Sequence, residues 1–257
     1  MLTKIPLLSL LMFSVTYPLC FWLSVQEPLK NKFHHFHIGL PNILAGLSVL
    51  GIYLLGMPND ILYKALVWLG VFFLATFEYW KKETVNPIIV TVVSLLGLMV
   101  YIKAHVFLIG LNIAGLGVSL LGGMILSAAF YAMNLGHWYL NVHGLPLKHL
   151  KTATVTLGAL LSIRLIWDVV MLFYSTVLFR GEYTHLWPFL IHMEGLFLIV
   201  AFFFGTVFPL ISMYFVWGTL QVKSTQSATG ILYVLLSAIL IGDMAYKYYL
   251  LNYHLAF

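Results

Sequence analysis

Ionisable side chains lie inside apolar runs of this 257-residue sequence, and they are the residues whose chemistry stands out. Charged residues make up 8% of the chain, against 62% hydrophobic residues. A charge near the centre of a bilayer costs roughly 3 kcal/mol on insertion scales, so such residues face a bundle interior, pair with each other or hold a ligand. The residues concerned are His137, Arg164, Asp168, His192, Glu194, Asp243 and Lys247.

Two pairs among these residues have opposite charges and a spacing of four. Arg164 precedes Asp168, and Asp243 precedes Lys247, so the members of each pair share one helix face. A carboxylate and a histidine are the usual relay groups for proton uptake and release inside a membrane. The charged residues predicted to be catalytic are Arg164, Asp168, Glu194, Asp243 and Lys247.

The charged pairs and their polar neighbours fall on three consecutive predicted helices at similar depth. We predict that they converge on one internal cavity, because three helices that each expose a charge to hydrocarbon would cost several kcal/mol apiece. Arg164 cannot shed its proton and must find an anion. Two interpretations stay open. The pairs neutralise themselves and hold the helices of the bundle together, or they line a water-containing pocket that conducts protons or binds quinone. We call this group the outer set; it comprises Arg164, Asp168, His192, Glu194, Asp243 and Lys247.

Histidines form a second candidate set, for cofactor binding. Neutral imidazole ligates haem iron, and two histidines on different helices make the six-coordinate site of membrane b-type cytochromes. The alternative is that these histidines lie at the membrane interface or hydrogen-bond a neighbouring helix. The predicted cofactor-binding residues are His37, His105, His137 and His192. The candidate metal ligands among them are His37, His137 and His192.

Apolar stretches of about 20 residues recur along the whole chain, and this length spans a bilayer. They predict an all-α polytopic transmembrane bundle of about eight helices, a single integral membrane domain over 1–257. Two predicted helices of about 34 residues exceed the bilayer thickness and must tilt, protrude or break. The predicted helices are 5–25, 37–56, 62–80, 86–102, 107–140, 153–179, 186–219 and 228–252.

Lysine and arginine positions predict the orientation. With eight helices, one side carries Lys30, Lys32, Lys81, Lys82, Lys148, Lys151 and Lys223. The other side carries Lys4, Lys64, Lys103 and Arg180. The positive-inside rule then places both termini outside the cytoplasm, with the chain in the cytoplasmic membrane of a bacterium or archaeon.

Composition also excludes several classes. The net charge of +5 is too diffuse to indicate nucleic-acid binding. The single Cys20 excludes an internal disulfide and any all-cysteine iron–sulfur or zinc site.

A compact bundle without soluble domains, with histidines at two depths and a polar cluster near one face, resembles the membrane anchor subunits of respiratory complexes. The resemblance covers the organisation of the whole chain. It implies an electron-transfer subunit that interacts with quinone, binds haem b, or does both. Its partners would be other membrane and redox subunits, quinone and lipid, and it would be a quinone-reactive or non-catalytic part of an oxidoreductase. The sequence departs from a di-haem cytochrome b, which would show four histidines in mid-helix.

A transporter or proton channel is the alternative from a different class. In that case the charged residues form an ion or substrate path without redox chemistry. The histidines discriminate between the two hypotheses, since a transporter has no need for His37 and His137 to face each other.

Overall fold

The computed structural model describes residues 3–24, 33–142 and 146–257. Within this part of the chain, eight helical segments are long and apolar enough to cross a membrane. The predicted all-α class and the number of spans are therefore confirmed. The spans are Lys4–Ser24, Phe33–Leu54, Asn59–Trp80, Pro87–Ile109, Ile113–Asn141, Lys148–Tyr174, Met193–Gln221 and Thr225–Tyr253. Lys30 and Lys32, which entered the orientation argument, lie outside the described residues.

The elements divide into two compact units, Met1–Asn112 and Ile113–Phe257. The first unit contains α1 (Lys4–Thr16), a 3-10 segment (Tyr17–Ser24), α2 (Phe33–Leu54), α3 (Asn59–Trp80) and α4 (Pro87–Ile109). The second unit contains α5 (Ile113–Asn141), α6 (Lys148–Tyr174), β1 (Thr176–Phe179), β2 (Glu182–His185), α7 (Leu186–Leu190), α8 (Met193–Phe202), a π segment (Phe203–Val207), α9 (Phe208–Gln221) and α10 (Thr225–Tyr253).

In the first unit, α1 packs against α2 and α4, and α3 packs against the same two helices. Trp68 of α3 is fully buried and donates from its indole Nε1 to the Val93 carbonyl of α4 at 3.0 Å. Gly97 admits the indole, because a Cβ there would lie 2.6 Å from the Trp68 ring. The glycine thus sets how closely α3 and α4 approach.

In the second unit, α10 is the central helix. It packs against α5, α8, α9 and the π segment, while α6 packs against α5 and α9. Gly136 of α5 lies against Thr229 of α10, where an added Cβ would be 2.5 Å from the threonine hydroxyl. Small residues let membrane helices approach closely, as here between α5 and α10.

The predicted seventh helix, 186–219, is not continuous. The short α7 ends at Leu190, and α8 begins at Met193 with His192 as its N-cap residue. Further along, the π segment stands ahead of Pro209. A proline ring clashes with the carbonyl of the residue four positions earlier, here Gly205, and a π bulge relieves such a conflict.

The predicted sixth helix extended to residue 179, but α6 ends at Tyr174 and a β-hairpin follows. β1 and β2 pair antiparallel, with Thr176 opposite His185. Arg180 and Gly181 form the two-residue turn, with φ of 54° and 89°. Positive φ at both central positions suits the twist of a tight hairpin, so these two residues fix its register.

Candidate functional site

Arg164 and Asp168 form a buried ion pair on α6. The Arg164 Nε donates to Asp168 Oδ1 at 2.9 Å, as the spacing of four predicts. Arg164 and Asp168 are 3% and 0% exposed, so the ion pair is buried. The guanidinium also donates from Nη1 to the Val118 carbonyl of α5, at 3.4 Å. The pair therefore ties α6 to α5 as well as neutralising itself.

Two hydroxyl groups complete the coordination of Asp168. Thr206 in the π segment donates to Asp168 Oδ2 at 2.6 Å, and Tyr246 of α10 donates to the same oxygen at 2.8 Å. The face of the Tyr246 ring also lies against the guanidinium, with Arg164 Cζ 3.9 Å from the ring centroid. Three donors from three elements thus converge on one carboxylate.

Asp243 and Lys247 form the second buried pair, one turn apart on α10. The Lys247 Nζ donates to Asp243 Oδ1. The residues are 7% and 3% exposed. Asp243 lies close to α5, because a Cβ on Gly122 would be 2.9 Å from Asp243 Oδ1 and 3.9 Å from Arg164 Nη1. The glycine leaves room for the two charged side chains beside α5.

A small cavity lies between the two pairs. Its volume is about 10 Å³. That is about the minimum space for one water molecule. Arg164 is one of its lining residues, and Arg164 Nη2 has no hydrogen-bond partner among the described residues. The lining residues are Gly122, Ile125, Arg164, Gly205, Ile239, Asp243 and Tyr246.

The π segment and α10 touch backbone to backbone beside this cavity. A Cβ on Gly242 would overlap the Gly205 backbone, and one on Gly205 would lie 2.5 Å from the Tyr246 ring. This contact brings Thr206 within reach of Asp168 and Tyr246. π segments occur often at functional sites, where they redirect a side chain that a regular helix would aim elsewhere.

The predicted convergence of the outer set holds for part of it and is wrong for the rest. Arg164, Asp168, Asp243 and Lys247 gather in one buried polar group. His192 and Glu194 are exposed instead. The physical reason is the helix break at 191–192, which puts both residues at the mouth of α8 rather than inside it.

These two residues take roles suited to a helix start. The His192 ring packs on Phe179 of the hairpin, with centroids 5.0 Å apart. The Glu194 carbonyl accepts a hydrogen bond from the Tyr249 hydroxyl at 2.5 Å. The Glu194 carboxylate lies in the first turn of α8, where the helix dipole favours negative charge.

The predicted cofactor histidines have different surroundings. His137 is exposed on α5. His37 is buried on α2, where its Nδ1 shares a 2.5 Å hydrogen bond with the Tyr17 hydroxyl and its ring stacks on Phe33 at 3.9 Å. His105 on α4 is 0% exposed, and neither ring nitrogen has a hydrogen-bond partner among the described residues.

These surroundings bear on whether a haem fits. Across the described ranges, no three His, Cys, Asp or Glu side chains come together as a metal-binding group. The His37 ring is already occupied by aromatic neighbours, which leaves His105 as the histidine whose unpaired nitrogens suit a ligand.

Sequence reasoning missed Thr206 and Tyr246. Both are uncharged. Thr206 stands in a run of apolar and aromatic residues that is typical of a membrane helix, and Tyr246 lies between the charged residues Asp243 and Lys247. A signal was present for Thr206, because the Gly205-Thr206 pair precedes Pro209 at the point where the helix must deviate. Tyr246 follows Asp243 by three residues, which places both on one face of α10.

Comparisons with protein-family models, with curated proteins and with solved structures found no match.

Proposed function

We propose that this protein binds and releases protons within the membrane, as a proton-coupled transporter or proton-conducting protein. The polar group of the second unit carries the proposal: two carboxylates, a guanidinium, an ammonium and a phenol, all buried in an otherwise apolar bundle. Ionisable groups at this depth are expensive, and acidic and basic residues in transmembrane segments commonly mark proton and ion pathways.

The interpretation that the pairs only hold the helices together explains less of this arrangement. Two self-neutralised pairs would need no Gly205–Gly242 contact and no cavity between them. A buried ion pair is also weak evidence for stability by itself, since apolar residues of similar volume often serve as well. Arg164 lines a water-sized cavity, and its Nη2 has no hydrogen-bond partner among the residues described, which supports a site that exchanges water and protons.

The size of the cavity favours proton chemistry over quinone binding at this site. About 10 Å³ admits one water molecule. Pockets for ligands of drug-like size measure on the order of 300 Å³ or more. A quinone ring would therefore have to bind elsewhere on the protein.

Proton flux into liposomes tests this function. Purified protein would be reconstituted with a pH-sensitive dye inside the vesicles, and flux started by a potassium diffusion potential. We expect faster acidification than in protein-free vesicles, and a loss of that excess in Asp243→Asn. Lys64→Gln, which alters an exposed lysine, is the control. Flux in Asp243→Asn equal to that of the unmodified protein would contradict the proposal.

We propose, as the second candidate, a quinone-reactive electron-transfer subunit of a respiratory-type complex that binds haem b. His105 favours it, because a fully buried imidazole without a partner costs about 1 to 3 kcal/mol unless something pairs with it. A haem iron or a quinone carbonyl would supply that pairing. Partner subunits would bring the other redox centres.

A visible absorption spectrum separates the two candidates. The electron-transfer proposal expects a haem b band in the purified protein that disappears in His105→Ala and persists in His185→Ala, since His185 is exposed. A colourless preparation excludes the haem version. Quinone would then be tested by photo-crosslinking, with His105→Ala again compared with His185→Ala.

A further inference from the structure

We infer that the cavity between Arg164 and Asp243 holds one water molecule through which protons reach Asp243, while Asp168 stays ionised as a fixed counter-charge. This inference rests on the proposed function and deepens it. It identifies water as the ligand of the cavity. It also assigns different roles to two buried aspartates that each lie four residues from a basic residue.

The contacts of the two carboxylates differ. Both oxygens of Asp168 are occupied, by Arg164 Nε on one side and by the Thr206 and Tyr246 hydroxyls on the other. Asp168 is not among the described residues that line the cavity. A water molecule or hydronium ion arriving there would have to displace one of these three donors.

Asp243 lines the cavity, as do Arg164 and Tyr246. The water would accept from Arg164 Nη2, which has no hydrogen-bond partner within the part of the chain that the structure describes, and donate to the Asp243 carboxylate. A buried water makes two to four hydrogen bonds, so these two partners meet the requirement. Among the described residues, the charged and titratable groups placed beside Asp243 include Lys247 on its own helix, and Arg164 on α6 and Tyr246, which line the same cavity.

The proton step is a simple transfer between oxygens. A hydronium ion reaches the cavity, its O–H bond breaks, and an O–H bond forms on the Asp243 carboxylate. Water remains in the cavity, and no electron is exchanged. The group as a whole gains one positive charge when Asp243 takes up the proton.

Gly122 offers a substitution that removes the water without removing an ionisable group. A Cβ there would project beside Asp243 Oδ1 and into the cavity, whereas Gly117 on the same helix has nothing within 4 Å of its would-be Cβ. In the liposome assay we expect Gly122→Ala to lower proton flux about a hundredfold, as for loss of a positioned proton-transfer group. Gly117→Ala should stay within about twofold of the unmodified protein.

Infrared difference spectroscopy on the unmodified protein gives a second measurement, useful if Gly122→Ala fails to fold. Between high and low pH we expect the carbonyl stretch of a protonated carboxyl group, absent in Asp243→Asn and retained in Asp168→Asn. An O–H stretch that shifts in H₂¹⁸O should accompany it. Equal flux in both glycine variants, loss of the carboxyl band in Asp168→Asn instead, or no ¹⁸O-sensitive band would each overturn the inference. Absence of flux in the unmodified protein would instead refute the proposed function.

Discussion

At the scale of single residues, Asp168 and Asp243 have the same spacing to a basic residue but differ in the groups around their carboxylates. Each has a basic residue four positions away on its own helix, and each is buried. The difference comes from other elements. Thr206 and Tyr246 reach Asp168, whereas Gly122 leaves a small space beside Asp243.

Arg164→Leu should destabilise the second unit by about 3 to 5 kcal/mol, because it leaves Asp168 charged and buried without its cation. Thermal unfolding in detergent measures this, as a clearly lowered Tm. Lys64→Leu is the matched control: Lys64 also pairs with an aspartate four residues away, but its side chain is 51% exposed. We expect no resolvable change in Tm for the control. A Tm for Arg164→Leu equal to the control would show that the pair contributes nothing to stability.

Tyr246→Phe should cost about 1.5 to 3 kcal/mol, the range for a hydrogen bond to a charged group. The substitution removes the hydroxyl that donates to Asp168 and keeps the ring face against Arg164. Chemical denaturation of the detergent-solubilised protein gives the free energy of unfolding. Tyr233→Phe, on the same helix with a ring that is 46% exposed, should leave that free energy unchanged. Equal effects at the two positions would mean that the Asp168 contact carries no energy.

At the scale of helices and strands, the sequence predicted the number of spans because apolar length is a local property that a bilayer requires of each segment. The breaks were harder to predict. Pro209 indicates a kink, but the π segment that forms there places Gly205 against Gly242 of another helix, and the local sequence does not identify that neighbour. The hairpin after Tyr174 was missed, since its apolar β1 extends the hydrophobic run of α6.

The candidate site was predicted only in part, because the sequence does not show where a helix breaks. The four buried charges were predicted from their position in apolar runs. Opposite charges in hydrocarbon pair with each other, because pairing offsets the free-energy cost of burying each one. His192 and Glu194 were assigned to the interior on the assumption of one continuous helix from 186. The break at 191–192 invalidates that assumption.

The Gly205–Gly242 contact leads to a prediction for α10. Gly242→Ala should destabilise the protein by about 1 to 3 kcal/mol, because its methyl group would overlap the Gly205 backbone, which cannot rotate away. Gly230→Ala on the same helix meets nothing within 4 Å and should stabilise by up to about 1 kcal/mol through helix propensity. Thermal unfolding compares the two variants. A shift of Tm in the same direction for both would refute the close contact.

At the scale of the whole molecule, the distribution of lysine and arginine predicts that both termini lie outside the cytoplasm. The sequence contains a single cysteine, Cys20, which makes labelling direct. In a Cys20→Ala background, Arg180→Cys should react with a membrane-impermeant maleimide added to intact cells, and Lys82→Cys should react only after permeabilisation. Both positions are exposed and outside the spans. The reverse pattern would invert the topology, and labelling of both in intact cells would contradict the number of spans between them.

The pairing of the four charges has an electrical consequence. Arg164 with Asp168 and Lys247 with Asp243 sum to zero formal charge, so a displacement of the empty group along the membrane normal does no work against the transmembrane voltage. One bound proton gives the group a net charge of +1. Moving a unit charge through the full membrane potential involves electrical work of about 2.3 kcal/mol per 100 mV. A group loaded with a proton would therefore be driven by the membrane potential while the empty group returned unaffected. In voltage-clamped bilayers, gating currents that grow as the pH falls would be the corresponding signature.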